Sequence, residues 1–75
     1  MKIGKTIHDI RVRKVKAHGL KQYSARACAA RIGMRTSYWF DLEADRHSPS
    51  INTLEQVAES LGVRVEDILS NKSQK

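Results

Sequence analysis

Apolar positions recur along the chain at steps of three and four residues, the period of an α-helix with one buried face. Ile3, Ile7 and Ile10 share such a face and predict a first helix over residues 3–17, with Arg11 extending its inner side. Cys28, Ala29 and Ile32 predict a second over 25–32, with Arg26 and Arg31 turned to other sides. Trp39 and Leu42, joined by Glu43, form the inner face of a third. Ile51, Leu54, Val57, Ala58 and Leu61 point inward from a fourth over about 51–61, and Ile68 and Leu69 belong to a short fifth over 65–69. The polar run SNKSQK at 70–75 is expected to fray beyond a core of residues 3–69. The pattern describes one all-α domain over 1–75.

Punctuation between the apolar stretches agrees with these spans. Ser24 is a good N-cap, because its hydroxyl can accept from a backbone N–H of the first turn. Alanines at 25, 27, 29 and 30 favour helix and let a neighbour approach closely. Gly33 can take the left-handed conformation that ends a helix, and Met34 is placed to plug the turn. Thr36 or Ser37 can cap the third helix. Pro49 blocks continuation, and Ser50 or Asn52 can cap the fourth helix, Asn52 having capping-box-like spacing to Glu55. Gly62 closes that helix. Residues 24–43 therefore read as a helix, a tight glycine turn and a second helix.

Charge adds a direction to this picture. The chain of 75 residues carries a formal +6, with seven Lys/Arg against one acid over residues 1–21, four against three over 22–49, and three against four over 50–75. A basic N-terminal part suits a polyanionic partner, or else a solvated basic helix. A single cysteine excludes an internal disulfide and suits a reducing compartment. The absence of a membrane-length apolar run or a signal-peptide pattern leaves the cytoplasm as the expected location.

Ala29-x-x-x-Gly33, the apolar residue at 34, and Ser37-Tyr38-Trp39-x-x-Leu42-Glu43 together resemble the phage-repressor and Cro-type helix-turn-helix family. The stretch from Arg46 through Pro49-Ser50 and Leu61-Gly62-Val63 to Leu69 is similar to that family's fourth and fifth helices. The resemblance covers residues 24–69, and less closely 3–11. It implies a five-helix domain that reads double-stranded DNA as a transcriptional regulator, a repressor acting as a homodimer on a palindromic operator. Activation, or an antitoxin or restriction-controller role, fits the same residues. So does a protein-binding adaptor anchored by an exposed aromatic such as Phe40.

The resemblance also assigns residues. Arg35, Thr36, Ser37, Tyr38, Phe40 and Asp41 fall on the positions that face the major groove, and Ser24, Arg26, Arg46, His47 and Asn52 on positions that meet phosphate. Arg35 suits guanine O6/N7 or a phosphate, Thr36 and Ser37 are short hydrogen-bonding groups, and Asp41 suits cytosine N4. Phe40 either touches a thymine methyl or packs on the segment 13–23. Arg11 is expected to pair with Glu43 as a mostly buried ion pair holding the first helix to the third. Val63, Val65, Ile68 and Leu69 are candidate dimer contacts, although core packing explains several of them equally well.

The chain departs from the family's pattern at three points. Asp45 stands where glycine is usual, and Ala25 where a phosphate-binding Gln is common, so that contact is absent or supplied by Gln22. The second helix also begins about seven residues late, close to two helical turns. The intervening VRKVKAHGLKQY, residues 12–23, either extends the first helix to about Ala17, with His18-Gly19 as its stop, or forms an arm. Its cations Arg13, Lys14, Lys16, His18 and Lys21 either follow phosphate or are solvated.

Catalysis is not expected. Cys28 lies at an apolar core position, and His8, His18 and His47 match no metal-ligand spacing. Asp41, Glu43, Asp45 and His47 are close in sequence, but helical geometry splits Glu43 from the rest. No cofactor, metal or small-molecule ligand is expected.

Overall fold

The computed structural model describes residues 3–70. Of the tail expected over 70–75, everything beyond Ser70 lies outside the described residues. Six helices follow one another: α1 (Gly4–His18), α2 (Leu20–Tyr23), α3 (Ala25–Arg31), α4 (Thr36–Glu43), α5 (Ile51–Leu61) and α6 (Val65–Ser70). The all-α expectation holds, with one helix more than expected. The extra one is α2, a single turn started where Gly19, at φ 101°, breaks α1. A one-turn element with no buried residue has no apolar period to announce it.

The stretch 12–23 is therefore an extension of the first helix, to His18, followed by α2. It does not stand free of the domain. The Lys14 ammonium and the Tyr23 hydroxyl both lie beside Gly62, at the C-terminal end of α5. Arg13, Lys16, His18 and Lys21 remain exposed.

The core is built from Ile7, Ile10, Ala25, Cys28, Ala29, Trp39, Leu42, Leu54, Val57, Leu61 and Ile68, with Tyr23, Ile32, Met34, Val63 and Val65 packed against it. Trp39 is completely buried, as its shared face with Leu42 predicts. One apolar position turns out otherwise. Ile51 is 57% exposed, because it is the first residue of α5 and lies ahead of the stripe that begins at Leu54. Of the two roles open to Ile68, its complete burial assigns it to the core and not to a surface that a second copy can reach.

Three helices end in the same way. Gly33, Asp45 and Gly62 adopt φ of 71°, 61° and 72°. In each case the next residue's N–H reaches back across the turn: Met34 to Ala29 O (2.9 Å), Arg46 to Asp41 O (2.9 Å) and Val63 to Ala58 O (3.0 Å). This is the six-to-one closure of a left-handed C-cap. Aspartate fills the second of these turns because it tolerates the left-handed region better than most residues. Its side chain has a further use: Oδ1 accepts from the Gly4 N–H at 2.9 Å and so caps α1, whose own N-cap residue, Ile3, supplies no side-chain acceptor.

Gly4 itself sits directly on the C-terminal carbonyls of α4. A Cβ there would stand 2.5 Å from the Leu42 oxygen and closer still to that of Glu43. Only a glycine lets the two helices meet this closely.

Candidate nucleic-acid interface

The helix-turn-helix is α3, the turn at Gly33, and α4. Ser24 caps α3, its Oγ accepting from the Ala27 N–H at 3.1 Å. Ser50 caps α5 in the same way, accepting from the Thr53 N–H at 3.2 Å. Asn52 is consequently not a cap; it lies exposed within the first turn of α5. Helix α4 has neither of the caps expected. Its N-cap position is Arg35, whose backbone is extended and whose side chain caps nothing. Thr36 and Ser37 already lie inside the helix, one and two places past the position from which a side chain caps it.

Helix α4 is oriented by one buried carboxylate. Glu43 Oε2 accepts from Arg11 Nε at 2.6 Å and from Trp39 Nε1 at 2.7 Å, while Oε1 accepts from Arg11 at 3.2 Å. His8 Nδ1 lies 3.0 Å from Oε1 and donates in the tautomer that carries its proton there. The Arg11 and Glu43 side chains are only 11% and 8% exposed. Burial pushes the Glu43 carboxyl upward, but the hydrogen bonds from Arg11, His8 and Trp39 outweigh it and hold the group below the ordinary carboxylate range. The hydrogen bond to Glu43 likewise raises Arg11. The expected pair is present, and it fastens both α1 and the core tryptophan to the last turn of α4.

With Trp39 and Leu42 turned inward, Arg35, Ser37, Phe40 and Ala44 are exposed, and Thr36, Tyr38 and Asp41 are half-buried. Phe40 is 51% exposed, so half of it stays open to solvent. Arg26 is exposed on α3. Arg26 and Arg35 enter no ion pair among the described residues.

Four expected site residues come together in one cluster. Asp41 Oδ1 accepts from Arg46 at 3.1 Å, Asp41 Oδ2 lies 3.6 Å from His47 Nε2, and the Tyr38 and His47 rings meet with centroids 5.2 Å apart. Among the described residues no hydrogen bond joins Ser24, Arg26 or Asn52 to this cluster. Those three stand on the N-terminal turns of α3 and α5.

Arg31 has a structural task that its place in the sequence does not announce. Arg31 donates to Ser60 O at 2.7 Å and to Gln22 O, and its guanidinium lies 5.1 Å from the Tyr23 ring centroid. It clamps α2, α3 and α5 together. Its i,i+3 and i,i+4 neighbours carry no sign of this, since every partner lies outside its own helix. Beside it, Ser60 Oγ donates to Cys28 O at 2.8 Å. Burial raises the Cys28 thiol above its ordinary value, which suits packing and not nucleophilic chemistry. Among the described residues no group of three His, Cys, Asp or Glu is placed to hold a metal, and no helix is long and apolar enough to cross a membrane.

Fold and site together define a small all-α domain of the helix-turn-helix type. No family model matches the chain, and no solved structure matches it. A stretch of 45 residues, 60% of the chain, is 40% identical to the immunity repressor protein of Bacillus phage phi105. The matched stretch is 31% of that protein's length, so the chain spans well under the whole of the curated relative that it resembles.

Proposed function

We propose that this chain is a sequence-specific reader of double-stranded DNA that works in the cytoplasm as a transcriptional repressor. The observation that carries the proposal is the presentation of α4. Its inner face is fixed by Trp39, Leu42 and the Glu43 hub, while Arg35, Ser37 and Phe40 are exposed on its other side. The major groove admits one α-helix, and each base pair offers it a distinct pattern of donors and acceptors. The similarity to a phage immunity repressor supports the same reading.

In this reading Arg35 meets guanine or a phosphate at the start of α4. Thr36 and Ser37 offer short hydrogen-bonding groups to base edges, and Phe40 meets a thymine methyl. Tyr38 directs its hydroxyl to phosphate. Ser24 and Arg26 from α3, Arg46 and His47 from the loop, and Asn52 from α5 grip the backbone on either side. One such domain offers few base contacts, so tight binding calls for two copies on half-sites about one helical turn apart. Leu69, exposed on α6, remains available to such a dimer, whereas Ile68 does not.

Selection of bound sites from a random duplex pool tests this, followed by affinity against salt for the recovered site. The expected result is a palindromic preference with steeply salt-dependent affinity. Arg35→Ala is then expected to relax the preference at particular bases, and Arg26→Ala to weaken all sequences alike. The exposure of Phe40 favours one rival, a protein-binding adaptor that uses this ring as its anchor. An adaptor predicts no salt-steep binding to duplex at all.

A further inference from the structure

Asp41 is badly placed on two counts. It sits in the last turn of α4, where the helix dipole disfavours negative charge, and on the side of the domain proposed to meet phosphates. A solvated surface carboxylate offsets neither penalty. The three groups around it give it a task. From its backbone carbonyl Asp41 accepts the Arg46 N–H at 2.9 Å, and from Oδ1 it accepts the Arg46 guanidinium at 3.1 Å. Oδ2 faces His47 Nε2 at 3.6 Å, and the His47 ring packs against that of Tyr38. The residues linked by the backbone bond are the pair that commonly share an apolar contact in this type of helix ending. Here an ion pair takes its place. The Arg46 side chain is still 70% exposed, and a guanidinium has five N–H donors, of which one is engaged with Asp41.

We infer that Asp41 is a positioning residue: it holds Arg46 and His47 at the C-terminal end of α4 as a preformed clip for one DNA phosphate, and does not itself read a base. This rests on the DNA-reading proposal above. Oδ1 is engaged by the Arg46 guanidinium and Oδ2 faces the His47 ring nitrogen, so neither oxygen is turned to a cytosine amino group. The clip spares the loop side chains part of the ordering that binding otherwise demands.

The test separates positioning from simple charge. Removing a carboxylate near phosphate tightens binding if Coulomb repulsion is its only effect. If Asp41 positions the clip, binding weakens. We expect Asp41→Ala and Asp41→Asn to weaken the chain's affinity roughly 2- to 10-fold, the equivalent of ordering one side chain afresh. The loss should appear on the duplex recovered by selection and on random-sequence duplex alike. We expect the salt slope to fall by up to about 0.9, the share of one phosphate. Arg46→Ala is expected to do the same alone and to add little in the Asp41→Ala background, a coupling that loss of stability would not produce. Tighter binding with an unchanged slope overturns the inference. A relaxed preference at a single base pair with an unchanged slope also overturns it, because Asp41 would then be a base reader. In both cases the DNA reading survives. Absence of salt-dependent duplex binding by the unaltered chain removes the DNA reading itself, and the inference with it.

Discussion

Replacing Gly4 with alanine sets two physical arguments against each other. Helix propensity favours the change by up to about 1 kcal/mol, since glycine is the poorer helix former. Packing opposes it. The new methyl would lie 2.5 Å from the Leu42 carbonyl oxygen, nearer still to that of Glu43, and 2.8 Å from the Glu43 carbonyl carbon, whereas real Cβ contacts essentially never fall under 3.0 Å. All three atoms are backbone, so no rotamer change relieves the clash. The N-terminus of α1 must back away from α4 by at least about half an ångström, a shift of the kind that costs ~1–3 kcal/mol in a packed interior. The same movement stretches the Gly4 N–H bond to Asp45, now 2.9 Å, and bonds to charged acceptors contribute about 1.5–3 kcal/mol. Net destabilisation of about 2–4 kcal/mol follows. A domain of this size is expected to have about 4–11 kcal/mol in total. The chain's one tryptophan is buried beside this contact, so urea unfolding followed by Trp39 fluorescence reports the change directly. A midpoint equal to or above that of the parent would refute the argument, because propensity would then have outweighed the close approach.

Three further outcomes follow from the hub and the core. Glu43→Gln keeps an acceptor for Trp39 but strands the Arg11 charge, and should lose about 3 kcal/mol in the same unfolding assay. Glu43 titrates below the ordinary carboxylate range in the folded state, so its contribution is complete above that range and is lost as pH falls through its own lower value. Stability of the parent should accordingly drop on acidification, and the Glu43→Gln variant should show a shallower drop between the same two pH values; parallel curves would contradict this. Cys28 is buried with its thiol raised, so a thiol reagent at neutral pH should label it only at the rate of unfolding, and urea should accelerate labelling to the rate of a free cysteine.

The helices were legible in the chain because their signals are local. Periodicity at three and four residues placed α1, α3, α4, α5 and α6 within a residue or two of their ends, and Ser24, Gly33, Ser50 and Gly62 punctuate them as their chemistry requires. Asp45 stood out only through a resemblance, as the residue at a position where glycine is usual. The Arg11–Glu43 pair was expected from a resemblance, not from spacing. What the chain did not disclose are contacts whose partners lie on other elements. Asp45 caps a helix 41 residues earlier, Gly4 is required by carbonyls of α4, and Arg31 bridges to α5. None of these leaves a periodic trace. Thr36, Ser37 and Asn52 were plausible caps by type, but the backbone placed Arg35 and Ser50 at the positions that matter. Asp41, Arg46, His47 and Tyr38 were individually legible as surface polar groups of α4 and its loop. Only the left-handed turn at Asp45 folds that loop back on α4, and that return of the chain makes one cluster of four separate side chains.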